Sequence, residues 1–230
     1  FRPDLQGLRA IAIILVLLAH TGVPYLAGGF VGVDVFFVLS GYLISGLLIR
    51  EFQQSGRINL ISFYARRIKR LLPALFVLFV IVACLAFFLL SPSQAKAQLS
   101  SGIYSAIWTS NLYFTFREVD YFNELASNDL FLHTWSLGVE EQFYLVWPVI
   151  LLATLKTYRF NLFGNNKYWG VCILGVVFFS SLGLSFYLSH TSPQAAFYLM
   201  PSRVWQFTLG AFVYLLLANP IKSKIKGPSR

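Results

Sequence analysis

An apolar run, "GLRAIAIILVLLAHTG" at residues 7–22, carries an arginine, Arg9, near one end and a histidine, His20, near the other. Lipid penalises both groups, so their presence points to chemistry. On a helix, their spacing brings them to within about 20° of each other and separates them by about 16 Å along the axis. One face then holds a guanidinium at one level and, at another, an imidazole able to accept a proton near neutral pH. Asp34 follows across a short loop, within "GGFVGVDVFFVLSG". Its carboxylate would either orient that imidazole or cap the N-terminus of the next helix, and the sequence leaves both open. The stretch "FYARRIKRLLP", 63–73, places four cations close together. Arg67 and Arg70, three apart, share a helix face. Their planar forks suit phosphate, although a basic cluster is equally a topological anchor against anionic lipid. In "FLHTWSLGVEEQFYLVWP", 131–148, Glu140 and Glu141 sit among aromatics. Carboxylates there are costly unless they are paired, protonated or hydrated.

The elements that position these groups must be membrane helices. Hydrophobic residues make up 57% of the 230 positions, charged residues only 12%, and the mean hydropathy is +0.67. Soluble domains average about 25% charged residues, so this chain is too apolar to coat a soluble surface. The expected fold class is all-α, a polytopic helical membrane protein, since lipid satisfies no open backbone. Spans are expected at about 8–23, 31–49, 72–91, 136–155, 168–189 and 204–219, with Pro24, Pro92 and Pro220 at span ends and Pro148 inside one. The segment "QLSSGIYSAIWTSNLYFTF", 98–116, is dotted with polar residues and is read as a re-entrant or interfacial helix on the outer side.

Charge supports that reading. With a cytoplasmic N-terminus, Arg2, Arg9, the 50–70 loop, the 156–167 loop and the 222–230 tail lie inside. All but Lys96, Arg117 and Arg203 of the 18 Lys and Arg are then cytoplasmic, as the positive-inside rule requires. The formal net charge of +9 reflects this distribution and implies membrane lipid contact, with no nucleic-acid partner. "REVDYFNELASND", 117–129, becomes an acidic, aromatic outer loop. Cys84 and Cys172, in separate oily stretches, read as buried thiols, and no metal site is expected. The chain opens on Phe1, so it is expected to be a piece of a longer protein; no cleavable leader is evident, because the first apolar run continues into "GGFVGVD". Ser40-Gly41 and Ser45-Gly46 fall within a span, where small residues most often pack helices.

Taken alone, intramembrane His and Glu also suit a proton-coupled transporter or flippase without covalent chemistry. The absence of an internal repeat argues mildly against it. A structural or sensory anchor would leave three costly ionisable sites idle.

The pieces "FRPDLQGLRAIAIILVLLAH", "GGFVGVDVFFVLSGYLIS", "FYARRIKRLLPAL", "LHTWSLGVEEQFYLVWP" and "SRVWQFTLGAF" resemble, in order, the membrane domain of acyltransferase family 3, bacterial multi-pass enzymes that decorate envelope carbohydrates. The resemblance reaches across residues 1–230, as part of a domain of about ten spans, and the most similar subtype often continues into a periplasmic SGNH domain. It implies an acyl-CoA donor, with acetyl-CoA the default, an envelope glycan or lipid-linked glycan acceptor, and a place in the bacterial cytoplasmic membrane. The acceptor classes it implies include lipopolysaccharide O-antigen and peptidoglycan. The family's arginine–histidine pair falls on Arg9 and His20, its phenylalanine pair and Ser-Gly on Phe36, Phe37, Ser40 and Gly41, its cytoplasmic arginine pair on Arg67 and Arg70, and its leading acid on Glu140. Arg9, Arg67, Arg70, Ser40 and Gly41 are then expected to bind the donor. His20, with Asp34 and Glu140, is expected to catalyse transfer, His20 as general base and Glu140 orienting or recharging the imidazole. Where the family often has Glu after the tryptophan of "RxWEL", this chain has Gln206, which can carry a hydrogen-bonding role but not a charged one.

Overall fold

Helix boundaries follow local signals in the computed structural model, which describes residues 3–21, 25–123, 126–159 and 169–217. The chain forms α1 (Pro3–His20), α2 (Val31–Ser55), α3 (Leu60–Leu89), α4 (Pro92–Ala106), α5 (Ser110–Phe116), α6 (Trp135–Arg159), α7 (Trp169–Thr191), α8 (Pro193–Tyr198) and α9 (Val204–Leu217), with short 3₁₀ turns at Ala27–Phe30, Ala126–Asn128 and Leu132–Thr134. Gly56, at φ 70°, stops α2, and its N–H donates to the Phe52 carbonyl over 2.8 Å. Asn59 then starts α3 by accepting from the Ser62 N–H. Ser91 and Gln94 cap α4 reciprocally, with Pro92 in its first turn.

The protein is an all-α membrane protein. Among the described residues, α1, the segment Gly28–Ser55, α3 and the segment Gly170–Thr191 are long and apolar enough to cross a bilayer. Their flanks expose large apolar side chains, such as Phe87 and Phe88 at 80% and 79%, a surface that only lipid would cover at low cost. The helix α6 has the length to cross, but its first half carries Glu140, Glu141 and Gln142. The loop at 156–167, the 222–230 tail, Arg2, Pro24 and Pro220 fall wholly or largely outside the described residues.

Three expectations need correction. Only residues 56–59 separate α2 from α3, so most of the stretch expected as a 50–70 loop is helical. Arg and Lys are good helix formers, and they carry α3 back through the basic run. The segment 98–116 is not one helix either: it breaks at Trp108, whose φ is 57°. With 15 and 7 residues, neither α4 nor α5 reaches the roughly 20 that a crossing needs. Finally, Cys84 and Cys172 are exposed on α3 and α7 rather than buried, because each of these long helices packs along one stripe only.

The contacts divide the chain into two units, Phe1–Arg50 with Trp205–Arg230, and Glu51–Val204. In the first, α2 and α9 cross on small residues. A Cβ at Gly41 would overlap the Phe207 carbonyl, and one at Gly210 would overlap that of Val38. Phe37 and Phe207 stack at 4.7 Å beside this crossing, and Ser40 and Ser45 are fully enclosed. Gly32 similarly admits the Ala12 carbonyl and Val16 of α1.

In the second unit, Ser101, Ser105 and Asn111 of 98–116 are buried and hydrogen-bonded, while Ser110 Oγ is buried without a hydrogen-bond partner. Asn111, wholly buried, donates to the Tyr198 carbonyl and forms a reciprocal amide pair with Gln142 of α6. Gly138 leaves room for that pair. Ser105 shares a 2.7 Å hydrogen bond with Thr134, and Gln98 clamps the following loop by donating to the Asn128 carbonyl and accepting from the Leu130 N–H. The polar dots that made this segment ambiguous are thus its packing contacts.

Candidate active site

The basic run and the acidic insert meet within the second unit. On α6, the Tyr144 hydroxyl donates to Glu140 Oε1 one turn back. The Arg67 guanidinium of α3 lies over the same ring, 3.6 Å from its centre. The Tyr64 hydroxyl, one turn earlier on α3, donates to the Leu145 carbonyl over 2.8 Å and fixes the register of the two helices. Arg67 and Arg70 both act electrostatically on Glu141, which also feels Glu140. A cation on the ring face and a carboxylate on its hydroxyl hold Tyr144 from both ends. Arg67 Nε is buried without a hydrogen-bond partner. A half-buried guanidinium held by a ring, with its Nε donor still open, is prepared to accept an anion. Arg66, its neighbour, turns instead toward Glu51 at 3.8 Å.

Arg9 and His20 both lie on α1, and Arg9 shares its stripe with the buried Leu5 and Ala12. Arg9 Nε is also buried without a hydrogen-bond partner. His20 is the last residue of α1, and its side chain is exposed. Its Nδ1 lies 2.7 Å from the Val16 carbonyl. A carbonyl oxygen only accepts, so Nδ1 carries the proton and Nε2 is the basic nitrogen. The Val16 carbonyl thus fixes this tautomer from within α1.

Asp34, in the first turn of α2, accepts a 2.9 Å hydrogen bond from Gln206 Nε2 on α9. This is the hydrogen-bonding role open to the amide at that position. A glutamate there would set two carboxylates against each other and need a shared proton, whereas Gln206 donates permanently. Ser40 and Gly41 sit in the α2–α9 crossing, with Gly41 against the Phe207 backbone. Tyr144 and the Asn111–Gln142 pair were not anticipated. The Glu140–Tyr144 spacing of four would have flagged the first, but no local signal pairs Asn111 with a residue 31 positions away.

Between α5 and α6, Asp129 accepts from the Phe131 N–H over 2.9 Å. Burial pushes its carboxyl above the usual range, against the opposing effects of that hydrogen bond, Ser101 and His133. The folded state therefore binds this proton more tightly than the unfolded chain, and stability declines as pH rises through the raised range. Asp129→Asn keeps the acceptor and removes the charge. It should raise the thermal midpoint at neutral pH and flatten its decline above the ordinary carboxylate range, followed by intrinsic fluorescence.

The family model described as an acyltransferase domain matches residues 2–229. A peptidoglycan O-acetyltransferase, OatA, of Listeria monocytogenes serovar 1/2a is 35% identical over 216 residues, which cover 92% of this chain and 34% of that protein. An O-acetyltransferase, also named OatA, of Staphylococcus aureus is 43% identical over 160 residues, 69% of this chain and 26% of that protein. The chain therefore spans about a quarter to a third of the curated relatives it matches. No solved structure matches. With the match running nearly end to end over the α1 stripe, the α2–α9 crossing and the Arg67–Tyr144–Glu140 cluster, the chain belongs to the acyltransferase-domain family.

Proposed function

We propose that the protein moves an acetyl group from cytoplasmic acetyl-CoA to a hydroxyl of an envelope carbohydrate, in the bacterial cytoplasmic membrane. The observation that carries the donor half is Arg67, seated on Tyr144 with a buried, unpartnered Nε. Arg67 and Arg70 hold CoA phosphates, and on α1 Arg9, with an unpartnered Nε of its own, is a further guanidinium open to the donor. Ser40 and Gly41 serve the donor by keeping α2 close to α9. Glu140 acts through Tyr144 to fix the ring beneath Arg67.

His20 Nε2 takes the proton of the acceptor hydroxyl. The oxygen attacks the thioester carbonyl, the carbon–sulfur bond breaks, and the imidazolium returns its proton to the departing thiolate. The ester and free CoA are the products. The naming of a peptidoglycan-modifying relative supports a carbohydrate acceptor. The same order of elements supports a cytoplasmic N-terminus, with the α4–α5 segment and the loop before α6 on the outer side.

The test uses labelled acetyl-CoA, the protein in membrane vesicles and an isolated peptidoglycan acceptor. Arg67→Lys with Arg70→Lys preserves every positive charge but removes the forks. If the arginines bind phosphate, KM for acetyl-CoA rises about tenfold or more, while insertion is normal. An unchanged KM would return them to membrane anchoring. No transfer from acetyl-CoA by the unaltered protein would favour a carrier without covalent chemistry.

A further inference from the structure

A cavity of about 420 Å³ opens in the second unit where α4, α5 and the loop before α6 converge. Its size falls in the range of small-ligand sites. Arg117, Glu118, Asp120, Asn123 and Asp129 supply its polar wall, and Tyr113 supplies an aromatic face. None of these residues belongs to the donor cluster. Although three of them are carboxylates, among the described residues no three His, Cys, Asp or Glu side chains are grouped to hold a metal ion. The carboxylates are spread around the wall, mixed with a guanidinium and an amide. Such spacing suits a ligand that offers hydroxyls in several directions and both donates and accepts.

A second observation lies beside the wall. Tyr198 is fully buried, and its hydroxyl has no hydrogen-bond partner. That hydroxyl lies in the electrostatic field of Asp120 and Asp129, both on the cavity wall. A buried phenol without a partner is costly unless a bound molecule or water completes it. The backbone adds a mark of constraint: Glu118 holds φ at 52°, a region that side chains other than glycine seldom adopt. Among the described residues of the lining, three acids stand against one arginine, so the wall repels anions.

We propose that this cavity is the acceptor subsite and takes a short segment of neutral carbohydrate, with Asp120 and Asn123 meeting its hydroxyls and Tyr113 stacking on a ring. The inference rests on the reading of the protein as a carbohydrate O-acetyltransferase, and it adds the place of binding and a preference for uncharged over phosphorylated sugar.

The test is binding, which needs no turnover. The full chain in lipid nanodiscs is titrated with N,N′-diacetylchitobiose and, separately, with glucose 6-phosphate, followed by saturation-transfer NMR. The neutral probe is expected to bind at least tenfold tighter than the phosphate. Asp120→Asn keeps the acceptor used by the Phe122 N–H, and Asn123→Ser removes the amide from the wall. Each should weaken the neutral probe about tenfold, the loss of one hydrogen bond from a charged or polar wall residue, with unchanged thermal midpoints. Equal binding of the two probes, or full binding by both variants, overturns the assignment. Labelled acetyl transfer separates this from the parent reading. Transfer to glycan with an unmoved acceptor KM in Asp120→Asn sinks the subsite alone, whereas absence of transfer to any glycan by the unaltered protein sinks the parent reading.

Discussion

Replacing His20 with alanine should cut the proposed acetyl transfer by about 10² to 10⁴, the usual share of a positioned general base. The protein should still insert and keep its thermal midpoint, since the exposed imidazole fills no packed space in its unit. The physical basis is local. The Val16 carbonyl claims Nδ1–H, so the basic lone pair is on Nε2. His20→Gln separates hydrogen bonding from proton transfer, because the amide donates and accepts but cannot act as a base near neutral pH. It should be as inactive as alanine in labelled transfer from acetyl-CoA. Normal transfer by either variant removes the base from α1. The variants should leave the affinity for acetyl-CoA nearly unchanged, the opposite of the Arg67 and Arg70 replacements, and that contrast assigns one group to chemistry and the other to binding.

The second large effect concerns stability. Gly41→Ala and Gly210→Ala should each cost about 1–3 kcal/mol, as overpacking generally does. At both sites the new Cβ meets backbone, the Phe207 carbonyl in one case and the Val38 carbonyl and Tyr42 amide nitrogen in the other, so no side chain can swing aside. The helices must separate, and the Phe37–Phe207 stack and the Asp34–Gln206 hydrogen bond lie in the same seam. The double variant should therefore depart from the sum of the single effects, as contacts within one interface do. Gly175 provides the control. A Cβ there meets nothing within 4 Å, so Gly175→Ala should be neutral or stabilising by up to about 1 kcal/mol through helix propensity. Thermal unfolding in one detergent reads all four proteins. Equal midpoints for Gly41→Ala and Gly175→Ala would remove the close crossing of α2 and α9.

The sequence by itself determined the helical membrane class, the rough places of the helices, the common stripe of Arg9 and His20 and the small-residue seam. These are consequences of spacing and of solvent: lipid accepts only closed backbone hydrogen bonding, and helical period fixes which neighbours share a face. Residue motifs also carried the family, because the matching runs extend along nearly the whole chain. Tertiary structure alone decided the partners of the polar groups. Asn111 meets Gln142 and the Tyr198 carbonyl, Asp34 meets Gln206 from 172 positions away, and Arg67 settles on the ring that Glu140 holds. No periodicity encodes such pairs, since they depend on which helices approach and at what register. The break at Trp108 and the burial of Ser101, Ser105 and Asn111 had the same origin: a polar residue in an apolar helix advertises a cost, and only packing reveals the group that offsets it.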